Sequence, residues 1–350
     1  MPPGIFPYLG GSVSADQLQS FLRVCGSATV SGKQGAKVAA KVDGVLVDPA
    51  IYALPEKSET DCLFDDYDAW LIRQRSAGVP IILTDTPRIP KHDRSALRKA
   101  LSRWDTINEP TMVVLPLEPW WLKGGLPLLA AEVRAAGRPV AVVLMASFNG
   151  LDVGDAVTGL LTFIAAVGPV PVTLLRCDIS AVGAVAHGAF AGFVGWSTNT
   201  RHGPVPMRRR EHSQDDADPD NSPTVYVPVL HDYFKASKLP AFARSGGASV
   251  VRCGDLVCQG SSLLNVTQLA ETDLPSARLL ACRHNVASTE RIARQVFSST
   301  EPRDVWWEIC QRGANETASL AQGGISLATS PWLRQWLQLG SPAHEPQAAF

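Results

Sequence analysis

Short apolar runs rich in β-branched residues recur along the chain, and most are followed by a stretch that suits a helix. None of the runs alternates cleanly between apolar and polar positions, which is typical of parallel strands buried on both faces. Their starts lie 18 to 37 residues apart, a spacing that accommodates one strand and one helix. Eight strands are therefore predicted, over residues 42–48, 79–85, 111–117, 139–145, 171–178, 189–196, 224–230 and 248–252.

The stretches between these strands carry apolar residues at helical spacing. Leu97, Leu101 and Trp104 stand at positions i, i+4 and i+7 of one such stretch, and Gly137 is a good terminator for another. Helices are predicted over residues 67–77, 95–104, 127–136, 288–297 and 331–339.

The alternation of strands and helices predicts the fold class. Eight strand–helix units favour an α/β protein of the (β/α)8 TIM-barrel type, with an open doubly wound sheet as the alternative. The barrel is predicted to occupy residues 1–252. A small zinc-binding segment after strand eight and a C-terminal helical tail, packed on the barrel, are predicted over residues 253–350.

Composition narrows the class of protein further. Hydrophobic residues make up 45% of the chain and charged residues 19%, which excludes a wholly disordered chain. The net charge of −1 provides no global basic field, so contact with a nucleic acid would need a local patch. The most apolar stretch, 160–175, is interrupted by glycine and proline and predicts no membrane span, and the N-terminus does not resemble a signal peptide. Seven cysteines, too few for a disulfide scaffold, favour a reducing compartment and hence the cytoplasm.

Four potential metal ligands follow the last predicted strand, namely Cys253, Asp255, Cys258 and His284. They read C-x-D-x2-C-x25-H, and Zn²⁺ takes thiolate, carboxylate and imidazole ligands in a tetrahedral site. Cys282 is an alternative fourth ligand. The competing interpretation is a pair of buried thiols and a surface histidine, since cysteine is often buried as a small apolar residue.

This spacing resembles the zinc motif of the tRNA-guanine transglycosylases, C-x-C-x2-C-x25-H, with Asp255 at the position of the second cysteine. His284-Asn285-Val286 is similar to the His-Asn-Leu that commonly ends the family's motif. Leu83-Thr84-Asp85-Thr86 is similar to the family's Leu-Thr-Asp-Ser, whose aspartate lies in the base pocket. The resemblance extends to the related DNA deazapurine transglycosylases. It implies a (β/α)8 barrel with a Zn²⁺ subdomain after the last strand.

The resemblance also implies a reaction, the exchange of a purine base at C1′ of a nucleoside in tRNA or DNA. One carboxylate attacks C1′ and a second one recognises the purine edge, the role implied for Asp85. The family's nucleophile stands in Phe-Asp-Cys at the end of strand eight, whereas the predicted strand eight here ends in Val251-Arg252-Cys253. Asp178 is the preferred candidate nucleophile because it ends an apolar strand, and Asp255 is the rival.

Acidic and basic residues follow the predicted strands at what would be the active face of a barrel. Asp48, Asp85 and Asp178 end the first, second and fifth predicted strands, and each could equally cap a helix. Arg201 and His202 follow the sixth, where Arg201 suits a phosphate or carboxylate group. We therefore expect Asp48, Arg201 and His202 to contact substrate, the alternative for the last two being a loop held together by its own hydrogen bonds.

Two functions follow from these patterns, and a barrel enzyme unrelated to nucleic acid is a third alternative because fold does not fix function. The first is a transglycosylase-like pentosyltransferase whose partners are tRNA or DNA and a purine or deazapurine base. The second is a non-catalytic, zinc-stapled barrel that acts as an accessory or nucleic-acid-binding protein and has lost the nucleophile. A homo- or heterodimer is compatible with either function, although the sequence does not define the oligomeric state, and no membrane partner is expected.

Overall fold

Eight parallel strands of the first part of the chain form a sheet that nearly closes into a barrel. The order of the strands in the sheet is β3-β2-β1-β8-β7-β6-β5-β4, and the two edge strands, β3 and β4, lie beside each other. Neighbours in sequence are thus neighbours in space, which confirms the α/β barrel and excludes the doubly wound alternative. The strands are β1 (Gly4–Gly10), β2 (Ala28–Ser31), β3 (Val45–Asp48), β4 (Ile82–Leu83), β5 (Thr111–Leu117), β6 (Val140–Leu144), β7 (Val172–Cys177) and β8 (Ala191–Gly195).

Helices connect these strands, and their ends carry the expected signals. Ser14 and Gln17 form a reciprocal capping box at the start of the first helix, and Asp93 accepts a hydrogen bond from the Ala96 N–H at the start of the fourth. Gly137 ends the fifth helix in a left-handed conformation, as predicted. The helices are α1 (Ala15–Cys25), α2 (Gly32–Ala39), α3 (Tyr67–Ser76), α4 (Arg94–Ser102), α5 (Leu126–Ala136), α6 (Ala156–Val167) and α7 (Ser180–Ala186).

Side chains fill the interior of the barrel. Successive strand residues point to opposite faces, so residues two apart share the interior. Asp48 and Asp85 come two residues after the interior residues Leu46 and Leu83. Their side chains therefore point to the same side, nearer the carboxyl ends of the strands. The apolar layer below comprises Phe6, Tyr8, Leu46, Tyr52, Leu83, Met112, Val114, Ala141, Val143, Met145, Leu175, Ala191 and Phe193.

The sequence patterns predict the right number of barrel strands, but they place two of the eight in the wrong segments, 224–230 and 248–252. The first two strands, β1 and β2, were not predicted. Pro7 lies inside β1, where proline normally argues against a central strand, and β2 has only four residues. The six segments predicted between 42 and 196 contain β3 to β8.

The last two predicted strands lie outside the barrel. Within 224–230, β9 (Thr224–Val227) pairs antiparallel with β10 (Asp232–Lys235). Segment 248–252 forms turns with a single bridge from Arg252 to Ser262. By its internal contacts the chain divides into two units, Met1–Pro206 and Met207–Phe350, so both segments belong to the second unit.

The second unit combines the β9–β10 hairpin with five helices in the described residues. Its core is formed around Val225, Val227, Leu239, Val251 and Ala277, all fully or almost fully buried. The helices are α8 (Leu239–Gly246), α9 (Leu264–Thr272), α10 (Leu274–Phe297), α11 (Pro302–Gln322) and α12 (Pro331–Gln338). The helical C-terminal region and the helices predicted over 288–297 and 331–339 are therefore confirmed.

The computed structural model describes residues 4–11, 13–53, 67–105, 107–147, 149–204, 220–246, 248–254, 258 and 261–340. Asp255 lies outside the described residues. Among the helices described, none is long and apolar enough to cross a membrane.

Packing of the barrel can be tested at a glycine of α6. A Cβ atom at Gly159 would lie 1.9 Å from the carbonyl oxygen of Leu122, a backbone atom that has little room to move. We expect Gly159→Ala to destabilise the protein by about 1–3 kcal/mol or more, as overpacking does. Gly154→Ala, where a Cβ meets no atom within 4 Å, is the control and should stay within about 0.5 kcal/mol of wild type. Urea denaturation measures both, and equal stability of the two variants would contradict this packing.

Candidate functional site

Three buried aspartates stand at one end of the barrel. Asp48 is the last residue of β3, Asp178 directly follows β7, and Asp85 lies two residues beyond β4. Because all the strands are parallel, their carboxyl ends share one end of the barrel, called here the barrel mouth. Barrel enzymes place their active sites at this end. The three carboxylates are 0%, 4% and 5% exposed, respectively, so each needs polar partners.

Two tyrosines hold Asp48. The Tyr8 hydroxyl donates to Asp48 Oδ2 at 2.6 Å, the Tyr52 hydroxyl donates to the same oxygen, and the Ala50 N–H donates to Oδ1 at 2.9 Å. Burial, followed by the charge of Asp48, raises the pKa of Tyr8 and of Tyr52, so both phenols stay neutral donors. Both carboxylate oxygens are thus engaged within the protein, and direct contact between Asp48 and a substrate stays a prediction.

Arg176 is a functional candidate that the sequence patterns missed. The pairing of β7 with β8 shifts register between Leu174 and Cys177, and Arg176 within this irregularity has a φ of 51°. Its guanidinium lies over the rings of Tyr8 and Tyr52, 5.3 and 5.8 Å from their centroids, at cation–π distance. Burial lowers the pKa of Arg176, but its neighbours raise it by more, so the guanidinium stays charged. A signal was present in the sequence, since a lone arginine interrupts an otherwise apolar strand.

Asp178 sits in a network of donors beside Arg176. Asn149 Nδ2 donates to Asp178 Oδ2 at 2.5 Å, and the Ser180 N–H donates to Oδ1 at 2.9 Å. Burial is the largest influence and raises the pKa of Asp178, while the Ser180 hydrogen bonds and the charge of Arg201 oppose it. The carboxyl group is therefore easier to protonate than an exposed aspartate, a property typical of carboxyls that hold or move protons in active sites.

Asp85 has a different environment. Arg103 Nη1 lies 3.6 Å from its Oδ1, and the hydroxyls of Thr84 and Thr86 bond to each other at 2.8 Å on either side of it in sequence. The Thr84 hydroxyl also accepts from the Val114 N–H at 2.8 Å, which fixes the segment against β5. A carboxylate held beside one arginine at a strand end is suited to accept hydrogen bonds from a ligand's N–H groups.

Arg201 and His202 lie on a segment that crosses the mouth, residues 197–203, called here the strap. It leaves β8 and reaches β6, where Gly203 forms a parallel bridge with Met145, so it passes over the end of β7 between them. Arg201 Nε donates to the Ser197 carbonyl at 3.2 Å. Burial, and the nearby charges of Arg176 and Arg201, lower the pKa of His202, which is neutral near pH 7. The strap thus brings both predicted substrate contacts to the mouth.

The last barrel strand carries no carboxylate at its end. The comparison of Arg252 with a strand-eight nucleophile was wrong, because β8 ends at Gly195 and Arg252 is not in the barrel sheet. From Trp196 to Pro204 the sequence contains no aspartate or glutamate. The neighbouring strand, β7, is followed directly by Asp178.

A second candidate site lies in the second unit, where Cys253, Cys258 and His284 converge. One ligand atom from each residue lies within 4.8 Å of the others, and all three side chains are buried. The Cys258 sulfur is 3.2 Å from His284 Nδ1. A tetrahedral zinc site places such atoms about 3.5 Å apart, because Zn–S and Zn–N bonds are about 2.3 and 2.0 Å long. This buried group can therefore hold a metal ion, and the alternative of a surface histidine is excluded.

The orientation of His284 is fixed by β9. His284 Nε2 lies 2.6 Å from the Tyr226 carbonyl oxygen, which can only accept, so Nε2 carries the proton and Nδ1 faces the cysteines with a lone pair. Asn285 pairs with the same strand edge: its Oδ1 accepts from the Tyr226 N–H at 2.8 Å and its Nδ2 donates to the Thr224 carbonyl at 2.9 Å. Such outer hydrogen bonds are typical of histidines that bind metals.

Two residues were candidates for a fourth ligand, Asp255 and Cys282. Asp255, the predicted one, lies outside the described residues. Cys282 does not belong to the converging group. It lies two residues before His284 on α10, about 200° around the helix, and therefore on the opposite face.

No protein-family model matches the chain, and no curated protein sequence is significantly similar to it.

The metal centre predicts a specific pattern of metal loss. The purified protein should contain about one metal ion per chain, and Cys253→Ser or His284→Ala should remove it, because three protein ligands are the minimum for a tight site. Cys282→Ala is the matched control, a buried cysteine of the same unit that should leave the metal content unchanged. Elemental analysis of the variants measures this, and a wild-type protein without metal would contradict the site.

Burial of Asp178 predicts a pH dependence of stability. Its pKa is raised in the folded state, so the folded protein holds the proton more tightly than the unfolded chain does. The free energy of unfolding of wild type, relative to Asp178→Asn, should fall as pH rises from about 3.8 through the raised value. Urea titrations between about pH 4 and about pH 7 check this. A difference that is constant, or that grows with pH, would contradict the placement of Asp178.

Proposed function

We propose that the protein is a transglycosylase-like pentosyltransferase that exchanges a purine or deazapurine base at a nucleoside of tRNA or DNA. The convergence of Cys253, Cys258 and His284 carries the proposal, because it assembles three residues of the motif on which the resemblance to tRNA-guanine transglycosylases rests. The barrel mouth with Asp85 and Asp178 lends further support. The proposal includes Zn²⁺ as the metal and the cytoplasm as the location, where six free thiols of the described chain would stay reduced.

Zinc has a structural role in this proposal. Two thiolates and the Nδ1 atom of His284 would hold it, with Asp255 as the fourth ligand. The ion would tie the loop at Cys253 and Cys258 to α10, and through the Tyr226 carbonyl to the β9–β10 hairpin. No step of the reaction needs it.

Asp178 is the proposed nucleophile. A carboxylate oxygen attacks C1′ of the nucleoside, the bond from C1′ to the base nitrogen breaks, and the electron pair leaves with the base. The incoming base then attacks C1′ and releases the carboxylate, which restores Asp178. Asn149 and the Ser180 N–H hold the carboxylate in one orientation, and the charge of Arg201 favours its ionised form.

Asp85 is the proposed base-recognition group. Its carboxylate can accept hydrogen bonds from adjacent N–H groups of a purine edge and can take up or return a proton as the base leaves or enters. Arg103, whose Nη1 lies 3.6 Å from Asp85 Oδ1, balances the charge of the carboxylate. Arg201 and His202, on the strap, would contact the nucleotide to which the base is attached.

A second function is favoured by one specific observation. The strand that carries the nucleophile in the resembling family, the last of the barrel, ends here in Gly195-Trp196, without a carboxylate. A metal-stapled barrel that binds nucleic acid, or that serves as the non-catalytic subunit of a dimer, needs no nucleophile. In that case Asp178 and Asn149 organise the mouth and carry out no chemistry.

Base exchange provides the test. Wild-type protein incubated with tRNA or duplex DNA and labelled guanine should incorporate label, and Asp178→Asn should abolish incorporation, a loss beyond the 10²–10⁴-fold typical of a general acid or base. Asp85→Asn should weaken incorporation within that range. Asp155→Asn is the control, because Asp155 is exposed and its φ of 63° suits asparagine equally well.

The outcomes separate the two functions. A metal-loaded wild type that binds nucleic acid but incorporates no label would overturn the enzymatic proposal and favour the accessory protein. Incorporation by Asp178→Asn at the wild-type rate would place the nucleophile at another residue.

A further inference from the structure

We propose that Arg176 forms the centre of a phosphate-binding site in the barrel mouth, which takes the phosphate group of a nucleotide ligand. The inference rests on the proposed function only in that the ligand occupies the same mouth, and it specifies what that ligand must carry. Arg176 lies near the carboxyl end of β7, and barrels frequently bind phosphate on the loops that follow their last two strands.

The backbone around Arg176 is built to direct this side chain inward. The register shift between Leu174 and Cys177 is a local irregularity of β7, and such irregularities re-aim side chains next to active sites. The φ of 51° is unfavourable for a residue with a side chain as large as that of arginine. A strained conformation persists where the surrounding structure enforces it, and it is found mainly at functional sites.

The side chain of Arg176 crosses the mouth. It starts on β7 and lies over Tyr8 of β1 and Tyr52, which follows β3. One of its Nη atoms donates to the Asn199 carbonyl of the strap at 2.5 Å. The guanidinium is therefore held from three sides, which fixes its plane before any ligand binds.

One donor of this guanidinium, Nε, has no partner among the described residues, while other donors bond to the Asn199 carbonyl and to Tyr52. Arginine has five N–H donors in a planar fork, and Arg176 Nε is buried without a hydrogen-bond partner among the described residues. The whole residue is only 8% exposed. Buried donors without acceptors are costly, so a group retained in this state is expected to have an acceptor in the functional complex.

Asp48 does not remove the need for an external anion. Both of its oxygens already accept hydrogen bonds, from Tyr8, Tyr52 and the Ala50 N–H. The tyrosine hydroxyls thus stand between the carboxylate and the guanidinium, and no direct ion pair joins the two within the described contacts. Asp48 balances the charge of Arg176 without bonding to it, and Arg176 Nε keeps no acceptor among the described residues.

A second arginine lies near Arg176 at the barrel mouth. The charges of Arg176 and Arg201 both contribute to lowering the pKa of His202, so two positive side chains lie near the strap. A phosphate ester suits these arginine side chains better than a carboxylate does, because it carries more negative charge and has three acceptor oxygens.

Binding measurements on the complete protein test this site. Wild type should bind guanosine 5′-monophosphate about tenfold or more tightly than guanosine, as expected for added charged hydrogen bonds. Arg176→Gln should remove this preference and leave the affinity for guanosine unchanged, while Arg176→Lys, which keeps the charge but loses the fork, should retain part of it. Arg138→Gln, at a surface ion pair with Asp105, is the control and should bind as wild type does.

A competition experiment needs no variant and stays decisive if Arg176→Gln does not fold. Inorganic phosphate should displace guanosine 5′-monophosphate from wild type but should not displace guanosine. A trinucleotide that competes in the same way would assign the phosphate to a nucleic-acid backbone, and one that does not would assign it to a free nucleotide.

Equal affinities of wild type for the nucleotide and the nucleoside, or a full preference for the nucleotide in Arg176→Gln, would overturn the site. Tight nucleotide binding without base exchange would leave it standing and overturn only the proposed reaction.

Discussion

The burial of charge in the barrel mouth is the constraint on which the first unit depends. Parallel strands bring Asp48 and Arg176 to the same end of a packed apolar interior, where water cannot solvate them fully. Tyr8 and Tyr52 resolve this conflict, because their hydroxyls donate to the carboxylate and their rings lie under the guanidinium. A charged group fixed in this way needs no reorganisation when a ligand arrives, which is the condition for strong electrostatic recognition.

The second unit depends on a comparable constraint at the edge of β9. A strand edge needs hydrogen-bond partners, and here adjacent residues of α10, His284 and Asn285, supply them. The same contact that satisfies the strand turns the imidazole towards Cys253 and Cys258. The hairpin and the orientation of the His284 imidazole therefore depend on the same contact, and a metal ion bound by this group would add to the stability of the unit.

The sequence predicts much of this fold, and its failures have physical causes. Continuous apolar runs identify six of the eight barrel strands, because strands buried on both faces need apolar residues at every position. The same rule misses β1, because that strand contains Pro7. It also assigns residues 224–230 to the barrel, although their β-branched residues pack in the core of the second unit. The spacing of Cys253, Cys258 and His284 along the chain identifies three residues that converge and could hold a metal ion. The lone arginine of β7 can be seen in the sequence, but its contacts cannot be predicted from it, because they depend on a register shift and on rings from distant strands.

A crystal structure of the protein with guanosine 5′-monophosphate tests the central claim most directly, that the charged mouth of the barrel recognises a nucleotide. The account predicts the phosphate within hydrogen-bond distance of the Arg176 guanidinium, about 2.7–2.9 Å, with the purine edge at Asp85 and Asp178 facing C1′. A nucleotide bound outside the mouth, or a phosphate remote from Arg176 with Tyr8 and Tyr52 unchanged, would contradict it.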